Sequence, residues 1–332
     1  MITMADVAQR AGVSVSTVSH VINGTRVVKE STTLAVQQAI RETGYIHNTI
    51  ARSLATANTR TIGLAISPVT NAYFAELVAA IDAAARLAGY TLLIADTRDD
   101  ADVEFAVIES LHQRRVDGIL LAPVTGPDSA SLQYLHDFEV PTVLVDRCTG
   151  NSFDQVGTEN KKATALLTQH LADLGHVRIG LVSGSQTVST SAERLAGYRL
   201  GLRRAGLGYD KALVVDGQSS AQTADEGVTA LLRSPDAPTG LVVTNDRMTL
   251  GTMRALRRLR VEVPRDLALA VFDDFEWADL FHPRLTAIAQ PIAEIGAQAV
   301  DMLLTRLAAP GRPVRSVRLK PNFVHRDSCG CR

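Results

Sequence analysis

The side chains best suited to chemistry in this sequence stand just after its apolar runs. Ile62-Gly-Leu-Ala-Ile66 leads into Ser67-Pro-Val-Thr-Asn71 and then Tyr73-Phe74, and Thr142-Val-Leu-Val145 leads into Asp146-Arg147. Leu241-Val-Val243 is followed by Asn245-Asp246, Leu267-Ala-Leu-Ala-Val-Phe272 by Asp273-Asp274, and Ala287-Ile288 by Gln290. Carboxylates, amides and guanidinium groups around a cleft can hydrogen-bond a ring of hydroxyls while aromatic rings cover its apolar faces, which is sugar-binding chemistry. Arg147 and Arg194 together would also suit a sugar acid or sugar phosphate, because guanidinium takes such groups in bidentate fashion. A strand-end carboxylate has a plainer use as the cap of the next helix, and Asp96 and Asp246 are read that way. Tyr73 and Phe74 are placed to stack on a ligand at the cleft lip. Trp277 is assigned to cover the cleft and Phe281 to a contact between subunits.

Other chemistry finds little support. No Ser, Cys or Lys nucleophile has a recognisable motif around it, so no enzyme is expected. Gly180-x-x-x-Gly184 follows a strand but lacks the dinucleotide fingerprint. Arg254, Arg257, Arg258 and Arg260 read as a solvated helix face. Asp273-Asp274 has no further carboxylate or His at convincing spacing. Cys329-Gly-Cys331 could bind a soft metal, but the pair alone is not a ligand set, so neither a metal nor a cofactor is expected. With Cys148 they make three cysteines, a sparse and odd set that suits a reducing cytosol rather than a disulfide framework.

These residues must be positioned by parallel sheets. Continuous apolar runs of strand length, including Leu92-Leu-Ile-Ala95, Gly118-Ile-Leu-Leu121 and Ile179-Gly-Leu-Val182, alternate with helical stretches such as 74–88, 103–114, 161–174 and 192–205. Such runs mean strands covered on both faces, and ligands of open parallel sheets bind beyond the carboxyl ends of the strands. A length of 332 residues exceeds one compact core, and the strands are too many for one sheet. The body is therefore read as two doubly wound subdomains. No run reaches the roughly twenty apolar residues of a membrane span, and Met1-Ile-Thr-Met has no signal-peptide character, so a soluble cytoplasmic protein without membrane contact is expected.

Before the first strand the pattern is different. Residues 4–11 read as a short helix with Val7, Ala8 and Ala11 on one face, Gly12-Val13 breaks it, and Ser14 caps a second helix to about Ile22. Val18 and Val21 face a small core, with Val15, Ser16, Thr17 and His20 outward. A third helix, from about Ser31 to Thr43, is expected to close that core with Leu34, Ala35, Ala39 and Ile40. Two short helices joined by a Gly-containing turn make a helix-turn-helix, whose second helix can enter a major groove, although the spacing alone would equally fit an ordinary helical hairpin. Through Arg60 six basic residues stand against three acidic ones, while the whole chain carries -1, so the head is basic and the body acidic.

Asp6-Val-Ala-x-x-Ala-Gly-Val-Ser14, Thr17-Val-Ser-x-Val-Ile-Asn23, Gly44-Tyr-Ile-x-Asn48 and Ala51-Arg-Ser-Leu54 resemble the head of the lactose/galactose/purine repressor (LacI-type) family. The resemblance continues through Arg194-Leu-Ala-Gly-Tyr198, Thr244-Asn-Asp246, Val263-Pro264, Phe272-Asp-Asp274 and Gln290-Pro291, nearly end to end. It implies a helix-turn-helix head (1–46), a hinge helix and linker (47–60), and a body (61–328) like a type I periplasmic sugar-binding protein. In that body the N-subdomain takes about 61–160 and 291–320, and the C-subdomain about 161–289 and 321–328, with Lys320 to Arg326 as a late edge strand. It implies a homodimer on double-stranded operator DNA. Val15, Ser16 and His20 would read bases and Thr17 and Asn23 phosphates, with Thr3, Ser14, Tyr45, Asn48 and Arg52 in the DNA-facing set. Leu54 would wedge into the minor groove at a central step, entered here through His47 where relatives usually have Pro. Asn245, Asp273 and Arg194 would clamp the effector, with Asn71, Asp146, Arg147 and Gln290 beside them. The chain ends without leucine heptads, so a dimer is the default. A transport-type sugar-binding protein without a DNA role is the alternative, and the head argues against it.

Overall fold

The structure, a computed structural model, describes residues 2–24, 26–45, 58–67 and 71–331. His47, Asn48, Arg52 and Leu54 lie outside the described residues. The chain divides into two compact units, Met1–Thr59 and Arg60–Arg332.

In the first unit α1 (Met4–Ala11), α2 (Val15–Asn23) and α3 (Glu30–Thr43) close on a core of Val7, Ala8, Val18, Val36 and Ala39, with Val21, Ile40 and Tyr45 packed against it. Gly12 adopts φ 67, the left-handed turn that lets α2 leave α1 sharply, and donates its N–H to the carbonyls of Ala8 and Gln9. Leu34 and Ala35 do not join this core. Leu34 is 57 % exposed, because α3 starts at Glu30 and its buried stripe runs through Val36 and Ala39 instead.

The second unit holds two six-stranded sheets. The first has the order β11-β5-β4-β3-β1-β2 and the second β12-β10-β9-β8-β6-β7, the same winding twice. The strands of the first sheet are β1 (Thr61–Ile66), β2 (Thr91–Asp96), β3 (Gly118–Leu121), β4 (Thr142–Val145), β5 (Asp154–Thr158) and β11 (Ser316–Leu319). Those of the second are β6 (Ile179–Ser183), β7 (Val214–Asp216), β8 (Gly240–Val243), β9 (Ala268–Phe272), β10 (Thr286–Ala289) and β12 (Asn322–Val324). All pairings are parallel except β10 with β12.

Helices cover both faces of each sheet, which is why the central strands are apolar throughout. On the first sheet α4 (Ala72–Leu87) and α11 (Ile292–Ala308) pack on one side; α5 (Ala101–Gln113) and α6 (Ala130–Asp137) pack on the other. On the second, α7 (Asn160–Asp173) and α8 (Ser189–Arg204) face α9 (Ala221–Leu232) and α10 (Asp246–Leu259) across the sheet. The chain passes between sheets after β5, after β10 and after β11.

Two strands do not follow from apolar runs, and a third is divided. β5 is Asp154-Gln-Val-Gly-Thr158, polar in composition yet buried along its whole length. Its first carboxylate is tolerated because Arg306 and Arg312 reach it at 3.0 and 2.8 Å and the Arg315 N–H donates to it at 2.7 Å. β7 is only three residues long. The single edge strand expected over 320–326 is instead β11 and β12, one in each sheet, separated by a crossing at Lys320-Pro321.

The pair α7 and α8 touches almost backbone to backbone. A Cβ at Gly197 would collide with the Lys161 carbonyl oxygen, and one at Gly201 would lie 2.6 Å from Thr168 Cβ. Tyr198, between them, is fully buried and donates its hydroxyl to the Ile179 carbonyl at 2.7 Å. Gly197→Ala should therefore lower stability by about 1–3 kcal/mol through overpacking against rigid backbone. Urea unfolding of the purified chain checks this, and an unchanged midpoint would show that the helices can separate freely.

Candidate functional site

In the head, hydroxyl side chains set the starts of α1 and α2. Thr3 caps α1 in a reciprocal box: its Oγ1 accepts from the Asp6 N–H, and Asp6 Oδ2 accepts from the Thr3 N–H at 2.7 Å. Ser14 caps α2 by accepting from the Thr17 N–H at 3.2 Å, and its Oγ lies 2.8 Å from both Ser16 Oγ and Thr17 Oγ1. Val15 is 47 % exposed and Ser16 is exposed beside it, so the first turn of α2 presents an apolar patch and a hydroxyl. Asn23 turns inward along its own helix, donating to the Ser19 carbonyl at 2.9 Å. Thr3 and Asn23 thus have structural duties within the head, and Tyr45 packs on its core.

In the body, Asn71, Tyr73, Phe74, Asp146, Arg147, Arg194, Asn245, Asp273 and Gln290 line one cavity of about 280 Å3. All but Arg194, in the second turn of α8, come from a strand end, a helix start or a crossing. Asp146 follows β4 and Asp273 follows β9, and both take left-handed backbone, φ 63 and φ 79. Asp tolerates that region better than most residues. Their N–H groups bond the neighbouring strands, Asp146 to the Val156 carbonyl at 2.9 Å and Asp273 to that of Ile288 at 3.0 Å.

Burial makes these charges interdependent. Tyr73 donates its hydroxyl to Asp146 at 2.7 Å. Burial pushes the Asp146 carboxyl above its ordinary range, with Arg147 and Arg194 opposing. Arg194 donates from Nε to Asn160 Oδ1 at 2.8 Å and from Nη1 to the Thr244 carbonyl at 2.6 Å, and its guanidinium lies 3.7 Å from the centre of the Phe272 ring. Arg147 pairs with Asp99 at 2.6 Å beside the Phe74 ring. Gln290 donates to Asp273 at 2.6 Å and accepts from the Thr158 hydroxyl. The Asp273 carboxyl is pushed up to about 6, first by burial and then by Asp246, against the pull of Arg194.

Several assignments change. Trp277 is absent from the lining of this cavity. It stacks on Phe275 with ring centres 3.5 Å apart and meets Phe281 at 5.0 Å, in the core of the second sheet. Aromatic neighbours of its own hold it there. Asp246 is not the cap of α10; Asn245 is, accepting from the Met248 N–H at 2.8 Å. Asp246 is instead buried and lines an adjoining cavity of about 310 Å3 that shares Tyr73, Asp273 and Gln290. Asp96 accepts from the Arg98 N–H within its own turn, while Asp99 reaches the cleft. Thr190, Ser191, Ser219, Ser220 and Arg247 also line it. Thr190 and Ser191 lie four and three residues before Arg194 on α8, so helical spacing pointed to them; Ser219 and Ser220 follow β7, a strand with no strong signal.

A basic helix-turn-helix head ahead of a two-lobed, cleft-bearing α/β body defines the ligand-responsive DNA-binding regulators. Residues 3–48 match the model for bacterial regulatory proteins of the lacI family, and residues 168–329 that for a periplasmic binding protein-like domain. The ribose operon repressor of Escherichia coli K12 is 37 % identical over 99 % of this chain and 100 % of its own. The lac repressor dimer bound to operator and the anti-inducer ONPF superposes with TM-score 0.89 at 28 % identity, covering 99 % of each chain. A complex of the transcriptional regulator CelR with cellobiose gives 0.75 at 30 % identity, covering 99 % of this chain and 100 % of that one. The chain belongs to the lacI family of bacterial regulatory proteins and is a DNA-binding transcriptional regulator. Its relatives are repressors rather than enzymes. Among the described residues no helix is long and apolar enough to cross a membrane.

Asp273 carries a pH signature whose sign is fixed by the direction of its shift. Its proton is held more tightly in the folded chain than in the unfolded one, where a carboxyl titrates near 3.8. The stabilisation this gives is full below that unfolded value and is lost as pH rises through about 6. Asp273→Asn, which cannot ionise, should gain roughly 2 kcal/mol relative to the parent chain between pH 4 and pH 7. Urea unfolding of the ligand-free protein at both pH values measures this, and a pH-independent difference would mean that Asp273 is not desolvated.

Proposed function

We propose that this chain is a homodimeric, cytoplasmic repressor that binds a near-palindromic operator and is controlled by a neutral monosaccharide held between its lobes. The observation that carries this reading is the cavity in which nine polar and aromatic residues expected at the site meet, in a chain that also has a helix-turn-helix head. A volume of about 280 Å3 stands at the small end of ligand sites. Arg147, Arg194 and Arg247 face Asp99, Asp146 and Asp273 in the same cleft. With carboxylates matching guanidinium groups, no cationic surplus is left for a phosphate or sugar acid, whereas acceptors and donors in alternation suit hydroxyls. The E. coli relative is a ribose operon repressor and the CelR structure holds cellobiose, both in keeping with a carbohydrate effector.

The working division is a head over 1–46, a hinge over 47–60, and lobes formed by about 61–160 with 291–320 and about 161–289 with 321–328. Val15 offers apolar contact, as to a thymine methyl, and His20 a hydrogen bond to a purine edge. Ser16 reads a base edge beside them, Thr17 contacts phosphate, and Ser14, Asn48 and Arg52 belong to the DNA-facing set. Leu54 wedges into the minor groove, exchanging unstacking energy for a bent and better-wrapped duplex. Phe281, beside Trp277, contributes to contact between subunits. The effector acts only through its different affinities for the DNA-competent and incompetent forms.

The first experiment is a thermal-shift screen against monosaccharides, sugar acids and sugar phosphates. A ligand at a hundred times its Kd adds about 2.7 kcal/mol. A neutral sugar should register, and a response confined to sugar phosphates would overturn the charge argument. Asp273→Ala should abolish the effect of that sugar on operator binding while leaving operator affinity intact; a retained response removes Asp273 from the site. Leu54→Ala should reduce operator affinity roughly tenfold or more with non-specific binding unchanged, and equal losses on both kinds of DNA would count against the wedge.

A further inference from the structure

Outside the cleft, the structure gathers a second set of functional side chains. His170, His325, Cys329 and Cys331 each offer one ligand atom, and these four atoms all lie within 4.8 Å of one another. They come from three places: the last turn of α7, the residue after β12, and the chain's final turn. Cys331 Sγ is 3.5 Å from His170 Nε2, and Cys329 Sγ is 3.3 Å from His325 Nε2. All three cysteines of the chain are free thiols.

We propose that these four side chains form a structural zinc site on the C-terminal lobe. Zinc is bound by thiolate sulfur at about 2.3 Å and imidazole nitrogen at about 2.0 Å in a tetrahedron. Ligand atoms on such a tetrahedron stand roughly 3.5 Å apart, which both sulfur–nitrogen pairs already approach. Two thiolates and two imidazoles are the donor set of structural zinc, too soft for magnesium or calcium, which take oxygen. A buried cysteine is ordinarily just a small apolar residue. Here two thiols and two imidazoles converge, and packing alone gives no reason for that.

The site is held open by its surroundings. Ser328 ties the tail to the second sheet, its carbonyl accepting from the Leu269 N–H at 2.8 Å and its hydroxyl donating to the Leu269 carbonyl at 2.7 Å. Arg326 pairs with Asp274 at 2.6 Å. Gly330, at φ 81, reverses the chain between the two cysteines; a Cβ there would lie 3.3 Å from Pro264 Cβ. The His170 ring meets the Phe323 ring edge-on at 5.0 Å, which fixes its plane. Cys329 is buried while His325 is exposed, so an ion has a way in. Binding displaces one proton from each thiol, and the ion then joins the tail to α7.

The test uses the full chain without a polyhistidine tag, purified with a phosphine reductant, loaded with zinc and dialysed. Mass spectrometry of the metal should find one zinc per chain. Cobalt(II) in its place should show tetrahedral ligand-field bands and thiolate-to-cobalt charge transfer. Cys331→Ser, a near-isosteric change at a half-buried position, and His325→Gln, at an exposed one, should each lose the ion and those bands while keeping the circular dichroism and operator binding of the parent chain. Less than about a tenth of an equivalent of zinc in the folded parent chain would overturn the proposal. So would stoichiometric metal whose cobalt spectrum is unchanged in both variants, or a Cys329–Cys331 disulfide persisting under reductant.

Discussion

Asp146, Arg147, Arg194 and Asp273 are each less than a tenth exposed, and the body has to make their burial tolerable. A carboxylate removed from water costs several kcal/mol unless paired and hydrogen-bonded. Here the compensation is distributed. Arg194 is fixed by an amide, a carbonyl and an aromatic face, Arg147 by Asp99, and Asp146 by a tyrosine hydroxyl. Asp273 accepts from the Gln290 amide at 2.6 Å and from the Asp246 N–H at 3.3 Å, and burial still pushes its carboxyl up to about 6. A buried carboxylate with lone pairs still to satisfy gains from a ligand hydroxyl, because its desolvation cost is already incurred.

That arrangement depends on two sheets wound the same way. Their strands end at a common cleft, and left-handed backbone at the equivalent residues Asp146 and Asp273 turns both carboxylates into it. Gly197 and Gly201 serve the same end at a distance. By letting α8 settle against α7, they bring Arg194 within reach of Asn160, the first residue of α7. The motif Arg194-Leu-Ala-Gly-Tyr198 thus combines a cleft residue, a helix-contact residue and a core hydroxyl, three duties served by one stretch of helix.

Much of this was legible because strand-end chemistry is local. An apolar run followed by Asp-Arg or Asn-Asp places those side chains at the carboxyl edge of a parallel sheet whatever the rest of the chain does. What escaped was non-local or compensated. β5 is hidden by its own polarity, which only Arg306 and Arg312, far along the chain, make tolerable. Leu34 looked like core because helical spacing gives a stripe but not its phase, which the starting residue sets. Trp277 looked like a cover for the cleft because an aromatic after a strand end can turn either way, and Phe275 and Phe281 decide it. Cys329-Gly-Cys331 has His325 four residues before it, but the fourth partner, His170, more than 150 residues earlier, is brought to it only by the packing of α7.

Gln290 shows how a small ligand can act on the whole body. It sits where the chain crosses from the second sheet back to the first, accepts from Thr158 at the end of β5, and donates to Asp273 at the end of β9. The two lobes are therefore joined through the same acceptor that a sugar hydroxyl would seek. A ligand taking Asp273 competes with Gln290, so the bond between the lobes and the bond to the ligand cannot both be kept at full strength. The coupling energy available to the switch is the difference between those two arrangements. The sign of that difference, rather than the tightness of effector binding, determines whether a sugar loosens the protein from its operator or holds it there.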